Sequence, residues 1–261
     1  MNDFPEQDEA PLFALFWANS DLNDARAWPL AERIGHDAAT PYRPPRPVLP
    51  QAARHLPVPQ GALCELYAQR RSVRRFGEQP LTPHDLSRLL MPLAQRQPGW
   101  PGAVQDAQVP PTRYLASGGA KYPMQCYGIV LKAVDAQGQP LPPQRVWYDP
   151  IGHGLTPMGE APAWPALAAM LGVGDWDSMP ASVWLLVAQS EASCRKYGER
   201  GGRFVLLEAG SQLGALALQA AEAGLVGTAL GSFHDQALLD VFELDTGHQA
   251  VAAYACGHPA P

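Results

Sequence analysis

The spacing of apolar residues divides the chain into short helices and strands. Over residues 61–69, Leu63, Leu66 and Tyr67 fall on one helical face. Thr82 stands where an N-cap belongs, Pro83 fits a first turn and Asp85 lies near the start. The stripe Leu86, Leu89, Leu90 and Leu93 then predicts an amphipathic helix. Residues 125–134 alternate and are rich in Tyr, Ile and Val, which predicts a strand, with residues 145–148 as its hairpin partner. Residues 182–188 are apolar throughout, as in a buried strand. Residues 164–171 and 235–242 read as short helices, and residues 225–231 and 251–256 as further strands. The longest helical pattern, residues 204–223, carries Ala209, Gly210, Gly214, Ala215 and Ala217, small enough for another element to pack closely, and Gly224 is its natural C-cap. Residues 97–112 read as a loop. Helices alternating with strands, plus one hairpin, predict an α+β fold.

Ahead of this body, residues 1–58 are proline-rich and read as an N-terminal arm, with Arg43-Pro44-Pro45-Arg46-Pro47 in an extended stretch. Trp17, Trp28 and Tyr42 could pack onto the body without defining one, and the stretch fits either an arm that wraps a partner subunit or rims a pocket or a disordered leader. Residues 59–261 form the expected catalytic domain.

Composition narrows the chemistry. A formal net charge of -6 argues against a nucleic-acid groove. No run of about 20 apolar residues stands out, so no membrane span is expected. Nor do the first residues, Met1-Asn2-Asp3, resemble a signal peptide. Cys64, Cys126, Cys194 and Cys256 are far apart, which supports neither a zinc site nor a disulfide framework and suits a reducing cytoplasm. The seven histidines form no metal-binding spacing.

Two segments carry candidate chemistry. Ser117-Gly118-Gly119-Ala120-Lys121-Tyr122-Pro123 places two proton-transfer side chains directly after a small, backbone-exposing loop. Glycine lets main chain approach a flat ligand, and Lys and Tyr can act as acid and base. Equally, a glycine pair in an ordinary loop would look the same. Upstream, Arg70-Arg71-Ser72-Val73-Arg74-Arg75-Phe76 gathers guanidiniums and a hydroxyl suited to phosphate. The competing reading is a basic helix C-terminus held by the macrodipole.

Together and in this order the two segments resemble the FMN-dependent nitroreductase superfamily, and the Lys-Tyr pair resembles its SagB-type, McbC-like azoline oxidase branch. Further matches run from Arg113-Tyr114 through Val146-Trp147-Tyr148-Asp149-Pro150 with His153, Leu207-Glu208-Ala209-Gly210, and the closing Gly257-His258-Pro259. The resemblance spans roughly residues 60 to 259.

The resemblance implies a nitroreductase fold, a mostly antiparallel sheet surrounded by helices, and a homodimer with FMN at the interface. It implies that Arg70, Ser72 and Arg74, with Arg71 as a substitute, hold the FMN phosphate. Ser117, Gly118 and Gly119 would meet the ring, and Leu230, Gly231 and Ser232 would approach its N5 and O4 edge. The implied reaction turns a thiazoline or oxazoline into the aromatic azole. A hydride passes to flavin N5 and a proton to Lys121 or Tyr122, with dioxygen as the terminal acceptor. The substrate would be an azoline-containing ribosomal or carrier-bound peptide, and a cyclodehydratase or synthetase a possible partner. Two alternatives remain: an NAD(P)H-dependent nitro- or quinone reductase using the same FMN site, and a non-catalytic scaffold subunit of a biosynthetic complex.

Overall fold

The computed structural model describes residues 10–38, 56–96, 99–101, 112–245 and 247–261. Tyr42, the proline run at 43–47 and most of the loop at 97–112 lie outside them.

Six strands form one sheet: β1 (Met124–Val130), β4 (Gln144–Asp149), β5 (Gly154–Glu160), β6 (Ser182–Ala188), β7 (Val226–Leu230) and β8 (Gln249–Gly257). Their order is β5-β4-β1-β6-β8-β7 and every neighbouring pair is antiparallel. This is the α+β, nitroreductase-like arrangement expected from the sequence. A separate two-stranded pair, β2 (Ala133–Val134) and β3 (Pro140–Leu141), continues beyond β1. The run read as one strand over 125–134 is thus broken: the Leu131 and Lys132 N–H groups both turn to Ala181 O. The β4–β5 turn is built by Asp149, whose carboxylate accepts from Ile151 N–H (2.9 Å) and Gly152 N–H (3.0 Å).

Helices cover both faces. On one side α4 (Pro83–Leu90) and α7 (Glu199–Glu222) close over Cys126, Trp184, Leu186, Tyr254 and Cys256. On the other, α5 (Trp164–Met170) and α8 (Asp235–Val241) cover Tyr127, Ile129, Val183, Leu185 and Val187. Strand β6 contributes to both cores, so its sequence is apolar without alternation. Helix α4 starts with the expected capping box: Asp85 N–H donates to Thr82 Oγ1 (3.2 Å) and Thr82 N–H to Asp85 Oδ2 (2.9 Å). Helix α7 ends as expected, with Gly224 at φ 74° and Leu225 N–H reaching back to Ala220 O.

Other features were not anticipated from the sequence. The arm, to which no secondary structure was assigned over these residues, carries two helices, α1 (Pro11–Ser20) and α2 (Asp24–Ala38). Proline at position 11 sits in the first turn of α1, where its missing N–H costs nothing. Phe13 packs into a notch at Gly202 too tight for any Cβ, and Glu199 accepts from Leu12 N–H (2.9 Å) and Phe13 N–H (2.8 Å). On α3 (Ala62–Gln69), Leu63 and Tyr67 are 59% and 58% exposed, so the apolar stripe is not part of the core. Helix α7 begins at Glu199, earlier than its apolar pattern. By length and composition it could cross a membrane, which was not expected from the sequence. Here it lies along the sheet, burying Val205, Ala209, Leu216 and Ala220 with the polar Glu208 and Gln212.

Candidate active site

The Ser-Gly-Gly-Ala-Lys-Tyr loop enters β1 through a tight turn at Gly118–Ala120. Gly119, Ala120 and Tyr122 all have positive φ, at 62°, 53° and 48°. The left-handed region costs a non-glycine residue about 1–2 kcal/mol, so surrounding contacts must impose it on Ala120 and Tyr122. The glycines answer to the protein's own side chains. A Cβ on Gly118 would press on Phe204, and one on Gly119 would collide with Tyr197 Oη and Lys196 Nζ. Their small size therefore lets the loop seat against the end of α6 (Glu191–Tyr197) and the start of α7.

Tyr122 is gripped from several sides. Its N–H donates to Ser117 Oγ at 2.7 Å. Its hydroxyl accepts a long bond from Arg113 N–H at 3.4 Å, and the Arg113 guanidinium lies 5.0 Å from its ring centre. Arg113 also donates to Met124 O at 3.1 Å, fixing the chain just beyond. Lys121 has ordinary helical angles, points to solvent and makes no hydrogen bond to Tyr122. The irregular backbone that a shared Lys-Tyr site requires is present. The two side chains nonetheless leave it in different environments.

Beneath the loop lies a residue to which the sequence reading gave no role. Glu208, on α7, is 5% exposed and faces the Ser117 hydroxyl, Arg113 and Met124 N–H. Burial raises its carboxyl above the usual carboxylate range, against the pull of those three groups. Burial likewise lowers Arg113, opposed by Glu208, Tyr122 and Tyr148. Glu208 Oε2 has no hydrogen-bond partner among the described residues. The available signal was a lone carboxylate and a lone amide, Glu208 and Gln212, on the core-facing side of an apolar helix. Tyr148 continues the polar cluster, its hydroxyl 2.7 Å from His153 Nδ1, and His153 Nε2 is 2.9 Å from Ser87 Oγ. Burial raises Tyr148 and lowers His153, so both favour their neutral forms.

The arginine run occupies the opposite region. Arg70 ends α3, and the following residues extend along the free edge of β7, with Ser72 bridged to Gly227 and Val73 N–H donating to Gly227 O (3.0 Å). Phe76 is buried. A cleft of about 230 Å³ opens here between Arg70, Arg71, Ala217, Ala221, Gly224 and Tyr254. Arg71 turns back to donate to Ala68 O (2.5 Å) and Arg70 O (2.9 Å), so it caps its own helix. Arg70, Ser72 and Arg74 make no side-chain hydrogen bond or ion pair among the described residues. Of these only Arg70 lines the cleft, together with Arg71 and Val73; Ser72 and Arg74, expected to share one face with Arg70, do not line it.

The third predicted element, Leu230-Gly231-Ser232, leads from β7 into α8, with Gly231 and Ser232 exposed. The loop is pinned from below. Gly172, at φ 64°, leaves room for Ser232 O, and His234 N–H donates to Met170 O at 2.8 Å.

Strand register measures how far apart these groups are. Ser72 is level with Gly227, Cys256, Ser182 and then Val130, eight residues beyond Tyr122. That is roughly 27 Å along the strands and about 19 Å across four strand-to-strand spacings. Leu230 is level with Ala253, Leu185 and Tyr127, much closer to the Tyr122 edge. The structure thus joins Ser117–Tyr122 with Arg113 and Glu208. It does not bring Arg70, Ser72 and Arg74 of the same chain to that group.

An antiparallel sheet wrapped by helices, with an open cleft at one end of α7 and Tyr122 held beside Arg113 and Glu208 at the other, is the frame in which the family likeness is to be placed. A family model described as the nitroreductase family matches residues 67–258, and the chain belongs to that family. A nitroreductase-like protein of Methanocaldococcus jannaschii is 27% identical over 189 residues, covering 70% of this chain and 84% of its own. Two solved structures share the fold. One, a chain of the E. coli microcin synthetase McbBCD complex with truncated pro-MccB17 bound, has a TM-score of 0.60 at 18% identity, covering 92% of this chain and 95% of that one. The other, a nitroreductase-like protein of Desulfovibrio desulfuricans in complex with FMN, has a TM-score of 0.51 at 20% identity, covering 78% and 89%.

Proposed function

We propose that this protein is an FMN-dependent azoline oxidase of natural-product peptide biosynthesis. In this reading residues 59–261 are the catalytic domain and residues 1–58 an arm clamped across it. Arg70, Ser72 and Arg74 hold the cofactor phosphate, while Gly231 and Ser232 meet the ring edge. When bound, the flavin supplies the centre that accepts two electrons with one hydrogen. Separation of the arginine run from Tyr122 within one chain exceeds the length of one flavin mononucleotide. We therefore place each cofactor between two protomers, with the arginines from one and the Lys121–Tyr122 loop from the other. The single observation that carries the reading is Tyr122, a phenol in a left-handed conformation, held against Arg113 beside an unpaired Lys121. Aromatising an azoline breaks C–H bonds on adjacent ring carbons; one hydrogen leaves as a proton, and Tyr122, with Lys121 beside it, is placed to take it. The likeness to a McbBCD chain supports a peptide substrate and a synthetase partner.

A second reading, NAD(P)H-driven nitro- or quinone reduction, is favoured by the relationship to the M. jannaschii protein. FMN-loaded protein given an azoline peptide in air separates the two. Loss of two hydrogens from the peptide, abolished by Lys121→Ala and Tyr122→Phe with FMN retained, supports the oxidase. An untouched peptide together with rapid NADPH-dependent nitroarene reduction overturns it.

A further inference from the structure

Few of the groups lining the cleft beside α7 are free to hold a ligand. Arg71 is spent on the carbonyls of α3, and Ala217, Ala221 and Gly224 give an apolar wall. Beside Arg70 stands Tyr254, on β8. It is 2% exposed, yet it lines the cleft, and its hydroxyl makes no hydrogen bond among the described residues. A buried hydroxyl without a partner destabilises a fold, so an acceptor from outside the chain is the group that would satisfy it. The sheet makes room for this hydroxyl. Tyr254 pairs with Ala229, and its ring leans over Gly227, where any Cβ would collide with the hydroxyl oxygen. Gly227 is also where the arginine run is tied to the sheet, through Ser72 and the Val73 N–H. One glycine thus brings the phenol and the segment carrying Arg70 to the same edge.

We propose that Tyr254 is a further ligand of the anion in this cleft, its O–H donating to the same phosphate that Arg70 holds. This rests on the reading of Arg70 as part of the cofactor's phosphate site. Arginine supplies charge and a fork of donors, and the phenol adds one fixed, directional bond. Burial raises the Tyr254 phenol, against the pull of Arg70, so the hydroxyl keeps its proton near pH 7 and remains a donor. Two features that would repel an anion are already occupied. The Glu222 carboxylate, at the end of α7, pairs with Arg88 at 2.7 Å. The last carbonyls of α7 accept from the N–H groups of Ala223, Gly224 and Leu225, which weakens the negative end of the helix dipole.

Two flavins separate a phosphate contact from a general loss of binding: FMN, and riboflavin, which lacks the phosphate. Quenching of flavin fluorescence measures the affinity of the full-length protein for each. Tyr254→Phe removes one oxygen and keeps the ring, so the core stays filled. It should weaken FMN about 10-fold or more, the worth of a hydrogen bond to a charged acceptor, and leave riboflavin unchanged. Without cofactor its melting temperature should equal or exceed that of the wild type, because the hydroxyl bonds nothing within the chain. Unchanged FMN affinity, an equal loss for both flavins, or a lower melting temperature overturns the proposal. Arg70→Ala is titrated alongside. If it weakens FMN selectively while Tyr254→Phe does not, only the role given to Tyr254 is lost. If neither variant distinguishes the two flavins, the phosphate lies elsewhere, and the reading of Arg70 falls with the proposal.

Discussion

Toward the N-terminal half of α7 the charges are buried and matched: Glu208 faces Arg113, and Arg113 covers Tyr122. Beside its C-terminal half, at Ala217 and Ala221, a cleft is open and its charge unmatched: Arg70 holds no carboxylate among the described residues. The first arrangement holds its charges against one another within the chain, although Glu208 Oε2 lacks a hydrogen-bond partner among the described residues, and it keeps a side chain in a strained conformation. The second becomes complete only when an anion arrives. A site for proton transfer needs fixed geometry beforehand, whereas a phosphate site needs free donors. The two plans match the two tasks assigned to them.

The largest expected effect breaks the open end. Arg70→Ala with Arg74→Ala removes two charge-assisted contacts, each worth about 1.5–3 kcal/mol, so FMN affinity should fall by roughly 100-fold or more. Arg71→Ala should leave it almost unchanged, because that guanidinium is spent on the carbonyls of α3. Quenching of flavin fluorescence measures both. Equal losses in the two variants would mean that Arg71 leaves its helix to join the phosphate.

The next test asks whether the two ends of α7 serve the same flavin. Tyr122→Phe should cut azole formation by about 100-fold to 10,000-fold, the usual worth of a positioned acid–base group. Mixing Tyr122→Phe protomers with Arg70→Ala/Arg74→Ala protomers distinguishes the arrangements. With cofactors between protomers, each mixed dimer has one site with both the intact arginines and the intact tyrosine, so activity returns. With both groups acting on one flavin within a chain, every site stays defective and nothing returns.

How much of this was legible beforehand follows the same division. The arginine run declares itself because unpaired guanidiniums serve no core. The strands read clearly wherever burial was one-sided or complete, as in Ser182–Ala188, which matches its expected bounds. The Tyr122 end was harder to read. Its Lys and Tyr stood out, but the groups that hold them come from Arg113 and from α7, 86 residues beyond Tyr122 in the case of Glu208. Only the fold brings these groups together. The glycines were legible as necessary for close approach, and the approach the structure shows is to the protein's own Phe204, Tyr197 and Lys196, which no local pattern announced. Helices α1 and α2 were hidden because a proline-rich leader with few periodic apolar residues carries little local signal. The contacts that order α1 are tertiary, Phe13 at Gly202 and Glu199 at its N-terminus.

The smallest effect tests what else the matched end of α7 holds. The arm leaves Glu199, crosses to α8 and is tied there by reciprocal bonds: Leu22 N–H donates to Asp235 Oδ2 (3.0 Å) and Asp235 N–H to Leu22 O (3.3 Å). Burial, with Asp21 close by, raises the Asp235 carboxyl to about 6, although the Leu22 N–H pulls the other way. A carboxyl raised above its ordinary value of 3.8 by the arm's cover and by Asp21 takes up a proton on docking. Its contribution to docking is therefore complete below about pH 4 and is lost as pH rises through about 6. The nearby contact of His234 with Asp24 (3.4 Å) adds little, since Asp24 is 97% exposed. Hydrogen exchange at Leu22, corrected for intrinsic rates, should show stronger protection at pH 5 than at pH 7.5. Asp235→Asn keeps a carbonyl acceptor for Leu22 N–H and cannot ionise, so its protection should be flat across that range. A wild-type arm equally protected at both pH values would show that Phe13 and Glu199 anchor it alone, confining its attachment to the matched end of α7.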